Sequence, residues 1–400
     1  MLPEKTEILI VGAGIIGLTV ARELIAQNCD DIVIIEKESK LGCHASGRNS
    51  GVLHAGIYYS PDSLKAKICL RGNFRMREYC KEKGLPVLEK GKVIVARSEA
   101  ELSVLKELYQ RGTANGARVE LIDEVQLADI EPNARTTGQA LYSYDTAQVD
   151  PQAVLNRVEK DLINTGKVKI ITNCLFENLN GSNNAVTSGG KIKFSRFINA
   201  AGAHCDRVAR AFGMGLNYRL IPFKGIYRKL KKTVPYSVNG NIYPVPDIRN
   251  PFLGVHFTRS VNGDVYIGPT AIPAFGRENY GIFKGIDYEG LSIVFSDSTL
   301  FFTNPKFRSV ALSEPRKYLF SFFFRDAQKL VKHLSPEDIA PSSKVGIRAQ
   351  LVDWNTKEMV MDFIVKRDGD AVHILNPVSP AFTCSMELAQ KIVQEHFNGW

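Results

Sequence analysis

Residues 7–36 read EILIVGAGIIGLTVARELIAQNCDDIVIIE and contain the clearest structural pattern in the chain. Two short runs rich in isoleucine and valine flank a segment whose apolar residues recur at the spacing of one helical face. This arrangement predicts a strand, a helix and a second strand. Gly12, Gly14 and Gly17 form the pattern G-x-G-x-x-G at the turn into the helix, and Glu36 ends the second strand.

Each of these residues has a physical role in binding a dinucleotide. Gly12 permits a tight turn, Gly14 lets the backbone approach a pyrophosphate, and Gly17 allows the helix to pack closely on the strand. The helix N-terminus then directs N–H groups at the phosphates, and Glu36 accepts hydrogen bonds from ribose hydroxyls. The stretch therefore predicts an adenine-dinucleotide site and leaves FAD and NAD open. The downstream chain lacks the regular strand and helix alternation of a complete nicotinamide domain.

The composition indicates a globular protein of two domains. The chain has 400 residues, of which 44% are hydrophobic and 23% charged, and this length is too great for one core. Seven scattered cysteines without metal-ligand spacing favour free thiols in a reducing compartment and no metal site. The apolar N-terminal stretch is too short and too interrupted by glycines for a signal peptide or a spanning helix.

The net charge of +9 is spread along the chain rather than gathered in a Lys/Arg run. This distribution argues against nucleic-acid binding and favours attraction to anions. An acidic substrate and an anionic membrane surface both fit. Residues 281–340 alternate aromatic and basic side chains, a pattern that favours a helical subdomain burying its phenylalanines over a membrane-surface patch.

Local signals predict further elements. Ser63 is expected to cap a helix that follows it. In the run FLGVHFTRSVNGDVYIG, Asn262-Gly263 is typical of a type I′ hairpin turn. The alternation of side chains along the strand before this turn would place His256 and Thr258 on one face of a sheet.

Two later turns present backbone amides at the start of a helix. The run INAAGAHCDRVARAFG has Gly202 at the change from strand to helix. The chain closes with the strand AVHILN, the turn PVSPAFTCS and a helix expected from about Met386, with Ser385 as its cap.

Five segments together resemble the FAD-dependent L-2-hydroxyglutarate dehydrogenases, also called oxidases, of the D-amino-acid oxidase-like superfamily. The segments are VGAGIIGLTVARELI with Glu36, SGRNSGVLHAGIYYSPDSLKAKIC, NIYPVPDIRNPFLGVHFTRSVNGDVYIGPTAIPAFGRENY, KVGIRAQLVD and HILNPVSPAFTCS. The similarity extends over nearly the whole chain. The first segment is shared across the superfamily, whereas the second and third are more specific.

The resemblance implies an α/β fold, α+β overall, with FAD rather than NAD as cofactor. It implies a glutathione-reductase-type, Rossmann-like FAD-binding domain that is discontinuous in sequence, formed by residues 1–85, 145–216 and 341–400. A mixed-sheet substrate-binding domain would comprise residues 86–144 and 217–340.

The resemblance also assigns cofactor-binding residues. In this superfamily the segment that matches Ser46 to His54 runs along the flavin, which would explain why residues 47–65, GRNSGVLHAGIYYSPDSLK, mix polar groups with apolar ones. The cofactor-binding candidates are Gly12, Gly14, Ile16, Gly17, Glu36, Lys37, Ser46, Arg48, Asn49, Ser50, Gly51, Leu53, Ala201, Gly202, Arg348, Ser379, Pro380, Ala381, Phe382 and Thr383.

Oxidation of a 2-hydroxy acid removes a hydride from carbon and a proton from oxygen, and the proton requires a base with a pKa near the working pH. Histidine suits this role. His54 and His256 are the catalytic candidates because their positions in the family pattern support this chemistry. His373 ranks third, since a histidine in the apolar strand AVHILN is more often structural.

A dicarboxylate substrate requires cations at its carboxylates. Arg348 is the first candidate, and Lys224 and Arg259 are weaker ones. Tyr58, Tyr59 and Thr258 could donate hydroxyls to the substrate. Relatives usually have an arginine, a glycine and an acid where this chain has Lys224, Gly225 and Ile226, and a lysine lacks the two-pronged geometry of a guanidinium.

Two other functions remain open from the sequence. One is a sister flavoenzyme that oxidises an amine or amino acid, for which no protein base is needed. The other is a non-catalytic flavin-binding module that contacts a membrane through residues 300–335. By resemblance, the respiratory quinone pool is the favoured electron acceptor, with a cytoplasmic location and peripheral contact at the inner membrane. The oligomeric state is open.

Overall fold

The computed structural model describes residues 1–247, 252–282, 284–285 and 289–397, so residues 248–251 of the third family-like segment lie outside the described residues. Within these ranges the α-helices are α1 Ile15–Ala26, α2 Ala45–Arg48, α3 Leu64–Glu82, α4 Leu102–Ala114, α5 Glu124–Ile130, α6 Pro151–Asn164, α7 Cys205–Ala211, α8 Gly290–Thr303, α9 Pro305–Ser313, α10 Phe320–Gln328 and α11 Ala381–His396. The strands are β1 Lys5–Val11, β2 Ile32–Ile35, β3 Val52–Leu53, β4 Val87–Leu88, β5 Lys92–Val95, β6 Val119–Ile122, β7 Ala140–Ser143, β8 Ala147–Val149, β9 Val168–Ile171, β10 Phe176–Leu179, β11 Asn184–Thr187, β12 Gly190–Asn199, β13 Tyr218–Leu230, β14 Asn241–Pro244, β15 His256–Arg259, β16 Val265–Gly268, β17 Ile272–Pro273, β18 Ile339–Asp353, β19 Glu358–Met359, β20 Ile364–Asp368 and β21 Ala371–Leu375.

The chain divides into two compact units, each built from non-contiguous segments. Unit 1 comprises Met1–Asn49, Pro151–Pro222 and Arg348–Trp400, and unit 2 comprises Ser50–Asp150 and Phe223–Ile347. The boundaries of these units differ from the domain boundaries expected from the sequence. Residues 50–85 and 145–150 group with unit 2 rather than with the dinucleotide segments.

Local pairing explains the largest of these differences. Strands β3, β8 and β4 form a three-stranded sheet of their own. The buried Asn73 in α3 donates hydrogen bonds from Nδ2 to the carbonyl oxygens of Leu53 (2.9 Å), His54 (3.1 Å) and Asp145 (2.9 Å). The 50–85 segment is therefore bonded to the unit that contains β5 and β7.

Unit 1 is centred on a parallel sheet in which β1 pairs with β2 and β12, β2 with β9, and β12 with β21. Such buried parallel strands read as continuous Ile and Val runs, as β2 does. One face of the sheet packs Leu9, Val33 and Phe197 against the β10–β11 hairpin and α7. Helix α1 packs against α6 and α11.

Unit 2 contains a mixed sheet in the order β18-β13-β16-β15-β14-β5-β7-β6, with β17 on β13. One face packs Val93, Phe257 and Ile267 against Phe323 of α10. The other face packs Ile94, Leu141 and Tyr243 against α4 and the segment around Ala55 and Ile57. The alternation predicted for β15 is confirmed, because Phe257 lies in the first of these cores.

Two local expectations were wrong. Helix α11 begins at Ala381, so Ser385 lies buried inside the helix and does not cap it. Packing of this first turn against α1, where Thr19 Oγ1 donates to the Ser385 carbonyl at 3.2 Å, outweighs the weak helix propensity of the AFTCS run. The hairpin turn is also different: Gly263 has a positive φ of 85° but Asn262 does not, so the loop is a longer one than type I′.

Within residues 281–340 the described segment contains α8, α9 and α10, so the predicted helical character is present, but only some of the phenylalanines there are buried. Phe307 and Phe323 are 2% and 1% exposed, whereas Phe295 and Phe302 are 70% and 76% exposed. None of the described helices is both long enough and apolar enough to cross a bilayer. All seven cysteines are free thiols, as the sequence predicted.

Candidate active site

The glycine turn of unit 1 has the close approaches that the motif predicts. Gly12 has a φ of 104°, and a Cβ at this position would lie 2.5 Å from the carbonyl oxygen of Ala200. A Cβ on Gly17 would lie 2.0 Å from the Gly12 carbonyl oxygen. Gly14 is the N-cap residue of α1 and Ile16 lies in its first turn, which no side chain of the N-cap blocks. At the glycine turn and the helix N-terminus, backbone atoms rather than side chains therefore line the place where a pyrophosphate would bind.

The carboxylate of Glu36 is held against this turn. Its Oε2 accepts the N–H of Ala13 and its Oε1 accepts the N–H of Glu38, both at 3.0 Å. A carboxylate has about four lone-pair sites, so these two bonds orient it and leave capacity for ribose hydroxyls. The next residue is Lys37, whose Nζ contacts the Glu38 carboxylate and lies 2.9 Å from His44 Nε2.

The loop after β2 supplies the next predicted cofactor residues. Ser46 Oγ accepts the N–H of Ile15 at 3.0 Å and so joins this loop to the start of α1. Arg48 Nε donates to the Cys43 carbonyl at 2.5 Å, and Asn49 Nδ2 donates to the Ser46 carbonyl at 2.7 Å. Ser46, Arg48 and Asn49 thus belong to unit 1 together with the glycine turn.

Two further turns of unit 1 contain seven more of the cofactor candidates. The N–H of Ala201 donates to Asn199 Oδ1 at 3.2 Å, and Gly202 follows with a φ of 56°. Ser379 and Pro380 precede α11, and Ala381, Phe382 and Thr383 form its buried first turn without a side-chain cap. Gly12 and Gly17 lie where a Cβ would meet backbone oxygens, and Glu36 is an oriented acid beside them. The residues of unit 1 described above therefore fit an adenine dinucleotide.

In unit 2 the loop from Ser50 to Tyr59 is anchored by side chains of two helices. Beyond the Asn73 bonds described above, Asn115 Nδ2 donates to the carbonyls of Gly56 (2.9 Å) and Tyr59 (3.0 Å), and Arg111 donates to the Tyr58 carbonyl at 3.1 Å. Gly51 has a φ of 77° and Leu53 is fully buried in β3. The loop is therefore fixed in position by its backbone, which leaves its side chains to define a site.

His256 lies in β15 with a defined hydrogen-bonding state. Its Nδ1 is 2.8 Å from the carbonyl oxygen of Gly254, which can only accept, so the neutral ring carries its proton on Nδ1 and has its lone pair on Nε2. The ring is 5% exposed and stacks on Tyr243, with centroids 3.7 Å apart. Thr258, two residues along the same face, is also buried.

Two tyrosines of the loop from Ser50 to Tyr59 lie close to buried lysines. Tyr58 has a buried hydroxyl, and burial raises its pKa well above the ordinary value. The Lys92 amine lies 4.5 Å from the Tyr58 ring centroid, and the Lys65 amine lies 5.8 Å from that of Tyr59. His54 is 8% exposed, and its carbonyl also accepts from the Cys69 thiol at 3.3 Å.

The predicted cations have different environments. Lys224 Nζ donates to the Gly281 carbonyl at 2.5 Å, and burial lowers its pKa. Arg259 donates to the Val238 carbonyl at 3.0 Å. Arg348 lies half-buried in β18 and belongs to unit 1, whereas Lys224 and Arg259 belong to unit 2. Lys224 and Arg259 therefore each have a backbone partner already.

His373 has the contacts of a structural histidine. Its Nδ1 is 3.2 Å from Asn199 Nδ2, and its ring packs on Phe212 with centroids 4.8 Å apart. Burial lowers its pKa to about 4, so the ring is neutral at physiological pH. The third catalytic candidate is thus a core residue of unit 1.

Two residues of the unit 2 site were missed from the sequence. Tyr243 stacks on His256, and Lys92 lies between the rings of Tyr58 and Tyr243 at 4.5 and 5.0 Å. The available signal was the position of Lys92 in the strand KVIV, where it shares a face with the apolar Ile94.

Comparison with known proteins identifies the cofactor chemistry. A family model described as FAD dependent oxidoreductase matches residues 7–395. The chain belongs to the FAD dependent oxidoreductase family. Its cofactor is therefore FAD, as the sequence predicted.

Individual members of this family are similar over nearly their whole length. The chain is 35% identical over 417 residues to L-2-hydroxyglutarate dehydrogenase, mitochondrial, of Caenorhabditis elegans, covering 98% of this chain and 94% of that protein. It is 34% identical over 395 residues to L-2-hydroxyglutarate dehydrogenase of Escherichia coli (strain K12), covering 97% and 92%. The resemblance inferred from the sequence motifs is confirmed.

The fold agrees with that of a solved structure. L-alpha-glycerophosphate oxidase from Mycoplasma pneumoniae, solved dithionite-reduced with FAD bound, has a TM-score of 0.77 at 22% identity and covers 98% of this chain and 94% of that one. The predicted fold class, α/β with a mixed-sheet part, is confirmed.

Proposed function

We propose that this FAD-dependent oxidoreductase oxidises L-2-hydroxyglutarate to 2-oxoglutarate. The observation that carries the proposal is the near full-length similarity, at 34–35% identity, to L-2-hydroxyglutarate dehydrogenases of an animal and a bacterium. The hydrogen bond of His256 supports it independently, because a hydroxy acid needs a protein base and the Nδ1–H donation to the Gly254 carbonyl leaves Nε2 as the acceptor nitrogen.

The reaction separates a hydride and a proton from the alcohol carbon and its hydroxyl. FAD, when bound, supplies the two-electron acceptor for the hydride that leaves carbon 2. His256 accepts the hydroxyl proton at Nε2, while its Nδ1–H stays bonded to the Gly254 carbonyl and orients the ring. Stacking on Tyr243 restricts rotation of the imidazole. His54 is the second candidate for the base.

The carboxylates of the substrate require fixed donors. We assign Tyr58 and Tyr59, which the resemblance implies face the substrate, and Thr258 of the same unit to this role. Arg348 of unit 1 stays the first candidate cation. Lys224 is the weaker candidate, because its amine already donates to the Gly281 carbonyl.

Replacement of the two histidines tests the mechanism against amine oxidation, for which no protein base is needed. We expect His256→Asn to slow anaerobic flavin reduction by L-2-hydroxyglutarate by about 10²- to 10⁴-fold, and His54→Asn combined with it to slow it at least as much. His333→Asn, a change at an exposed histidine of unit 2, is the matched control. Full-rate reduction in the double variant would contradict the hydroxy-acid mechanism.

We further propose that the electrons pass to a membrane quinone and that α8 makes the membrane contact. Leu291, Phe295 and Phe302 are 84%, 70% and 76% exposed and recur at helical spacing along one side of α8. Arg308 of the following helix donates to the Phe301 carbonyl at 2.8 Å and so places a cation beside this apolar stripe. An apolar helix face bordered by cations is typical of peripheral contact with anionic lipid.

A further inference from the structure

A row of buried polar side chains crosses the sheet of unit 2 on the face that carries His256. Asn241 of β14 pairs directly with Thr258 of β15. Strand β14 is parallel to β5 with Ile242 opposite Val93, which puts Asn241 beside Lys92 on the same face. Asn241, Lys92 and Thr258 are 0%, 1% and 2% exposed. Three neighbouring strands thus direct polar groups into one buried layer.

Each of these side chains has a polar atom without a hydrogen-bond partner among the described residues. The atoms are Lys92 Nζ, Asn241 Oδ1 and Thr258 Oγ1. The hydroxyl of Tyr58, beside Lys92, also has no hydrogen-bond partner among these residues. The orientation of Asn241 is defined, because its Nδ2 donates to the Gly91 carbonyl at 2.9 Å. Native proteins rarely leave such atoms unpaired, so a cluster of them requires a polar ligand, an ion or bound water.

Lys92 is the charged member of the row. Its Nζ lies 4.5 Å from the Tyr58 ring centroid and 5.0 Å from that of Tyr243. Burial lowers its pKa to about 7, and the nearby Cys69 thiol opposes this shift. An amine in this setting is stabilised in its charged form when an anion arrives.

The position of Lys92 connects it to the proposed base. Tyr243, over whose ring the amine lies, stacks on His256 with centroids 3.7 Å apart. Thr258 follows His256 on the same face of β15. A ligand that bonds both Lys92 and Thr258 would therefore lie on the same face of the sheet as the imidazole.

We infer that Lys92 binds a carboxylate of the substrate, with the hydroxyls of Tyr58 and Thr258 as neighbouring donors. The inference rests on the proposed function, since a hydroxy dicarboxylate supplies the anion. The row offers one cation, two hydroxyls and one amide oxygen, a set that matches a carboxylate and an alcohol. Lys92 thereby takes the role that the family pattern assigns near Lys224, whose amine is engaged by the Gly281 carbonyl.

The alternative is that Lys92 only supports the fold through its aromatic contacts. The two roles predict opposite effects on stability. A buried amine with no hydrogen-bond partner opposes folding, so Lys92→Met should leave the melting temperature of the ligand-free holoenzyme unchanged or raise it. A structural role predicts a lower melting temperature.

The test uses the full-length FAD-loaded protein and 2-oxoglutarate as the probe, with its Kd measured by titration calorimetry. We expect Lys92→Met to raise the Kd at least about tenfold and to abolish the thermal stabilisation by 2-oxoglutarate. Lys90→Met, a change at an exposed lysine two residues away, should leave both unchanged. A Lys92→Met Kd within about twofold of the wild-type Kd would overturn the inference, whether or not the melting temperature also falls.

The wild-type protein separates this inference from the proposed function. If wild type is reduced by L-2-hydroxyglutarate and Lys92→Met binds 2-oxoglutarate equally well, only the inference fails. If wild type is not reduced by L-2-hydroxyglutarate, the proposed function fails.

The pH dependence of binding decides the matter if Lys92→Met does not fold. Binding that requires protonated Lys92 should weaken by about tenfold per pH unit above about pH 7 and take up a proton, detected by calorimetry in two buffers. Lys344, whose amine lies 4.6 Å from the Tyr266 ring and whose pKa burial lowers to about 8, also titrates in this range. Lys344→Met should therefore retain the pH dependence that begins near pH 7, and a Kd independent of pH without proton uptake would contradict the inference.

Discussion

Gly12 illustrates how a single residue can be required by both conformation and space. It has a φ of 104°, and a Cβ would lie 2.5 Å from the Ala200 carbonyl oxygen. We expect Gly12→Ala to yield protein that does not retain FAD on purification, because the turn must shift where the pyrophosphate would bind. The flavin absorbance per protein measures this.

Gly166 is the matched control for backbone strain. Its φ is 70°, yet nothing lies within 4 Å of an added Cβ. Gly166→Ala should therefore cost about 1 kcal/mol in unfolding free energy and leave the FAD content unchanged. Equal FAD content in Gly12→Ala and Gly166→Ala would refute the role given to the glycine turn.

Glu131 gives the molecule a pH-dependent stability. Its carboxylate accepts the N–H groups of Asn239 at 2.9 Å and Gly240 at 2.5 Å, but burial outweighs these bonds and raises its pKa to about 7. The native state therefore holds this proton more tightly than the unfolded state. The stability contributed by the protonated form is complete below the ordinary glutamate pKa and is lost as pH rises through about 7.

Urea unfolding from about pH 5 to about pH 8 measures this effect. Wild type should lose at most about 1.4 kcal/mol per pH unit from this group over that range. Glu131→Gln should remove that component, and Glu99→Gln, at an exposed site of the same unit, should retain it. An identical pH dependence in all three proteins would exclude Glu131 as its source.

Among the helices and strands, α8 differs from its sequence-based prediction in the burial of its phenylalanines. The pattern of aromatic and basic residues predicted buried phenylalanines, but Phe295 and Phe302 are exposed. Composition alone could not separate the two outcomes, because the same residues suit a core and a membrane surface. Burial in α8 is decided by which side of the helix packs on unit 2, and that is a tertiary property.

Vesicle binding tests the proposed role of α8. The triple variant Leu291→Ser, Phe295→Ser and Phe302→Ser should lose sedimentation with anionic vesicles at low salt, since it loses the apolar face. Val125→Ser, which changes a side chain that is 74% exposed elsewhere in unit 2, is the control. High salt should weaken vesicle binding by wild type. If wild type does not sediment with the vesicles at low salt, the proposed membrane contact is wrong.

The start of α11 and the turn after β15 show the limits of local signals. The capping rule favoured Ser385, but packing of Thr19 against the Ser385 carbonyl lets the helix begin at Ala381. The Asn-Gly pair favoured a two-residue turn, whereas Ser260 pairs with Asp264 across a longer loop, with its N–H 2.8 Å from the Asp264 carbonyl oxygen. Long-range contacts and loop length set both outcomes.

For the whole molecule, the dinucleotide part was predictable because it depends on backbone geometry that specific residues encode. Gly12, Gly17 and Glu36 carry that information in one continuous stretch. Two domains were expected from the chain length, and their discontinuity was expected from the family resemblance rather than from local pattern. Its boundaries depend on contacts such as those of Asn73, which link residues distant in sequence.

The substrate side was less predictable. His256 and Thr258 could be placed on one face from strand alternation, whereas the signal of Lys92, a charged residue on the inward face of the apolar strand KVIV, was not used. Its significance depends on Tyr58, Asn241 and Tyr243, which two other segments of the chain supply. A charged residue at an inward position of an otherwise buried strand is the pattern to search for in such sequences.

Anaerobic reduction of the bound flavin by L-2-hydroxyglutarate decides whether this protein has the proposed activity. Stopped-flow absorbance should show full bleaching with stoichiometric 2-oxoglutarate, no bleaching with the D enantiomer, and slower bleaching with substrate deuterated at carbon 2. A flavin that stays oxidised with the L enantiomer, while glycine or proline bleaches it, would contradict the assignment of a 2-hydroxy acid as substrate.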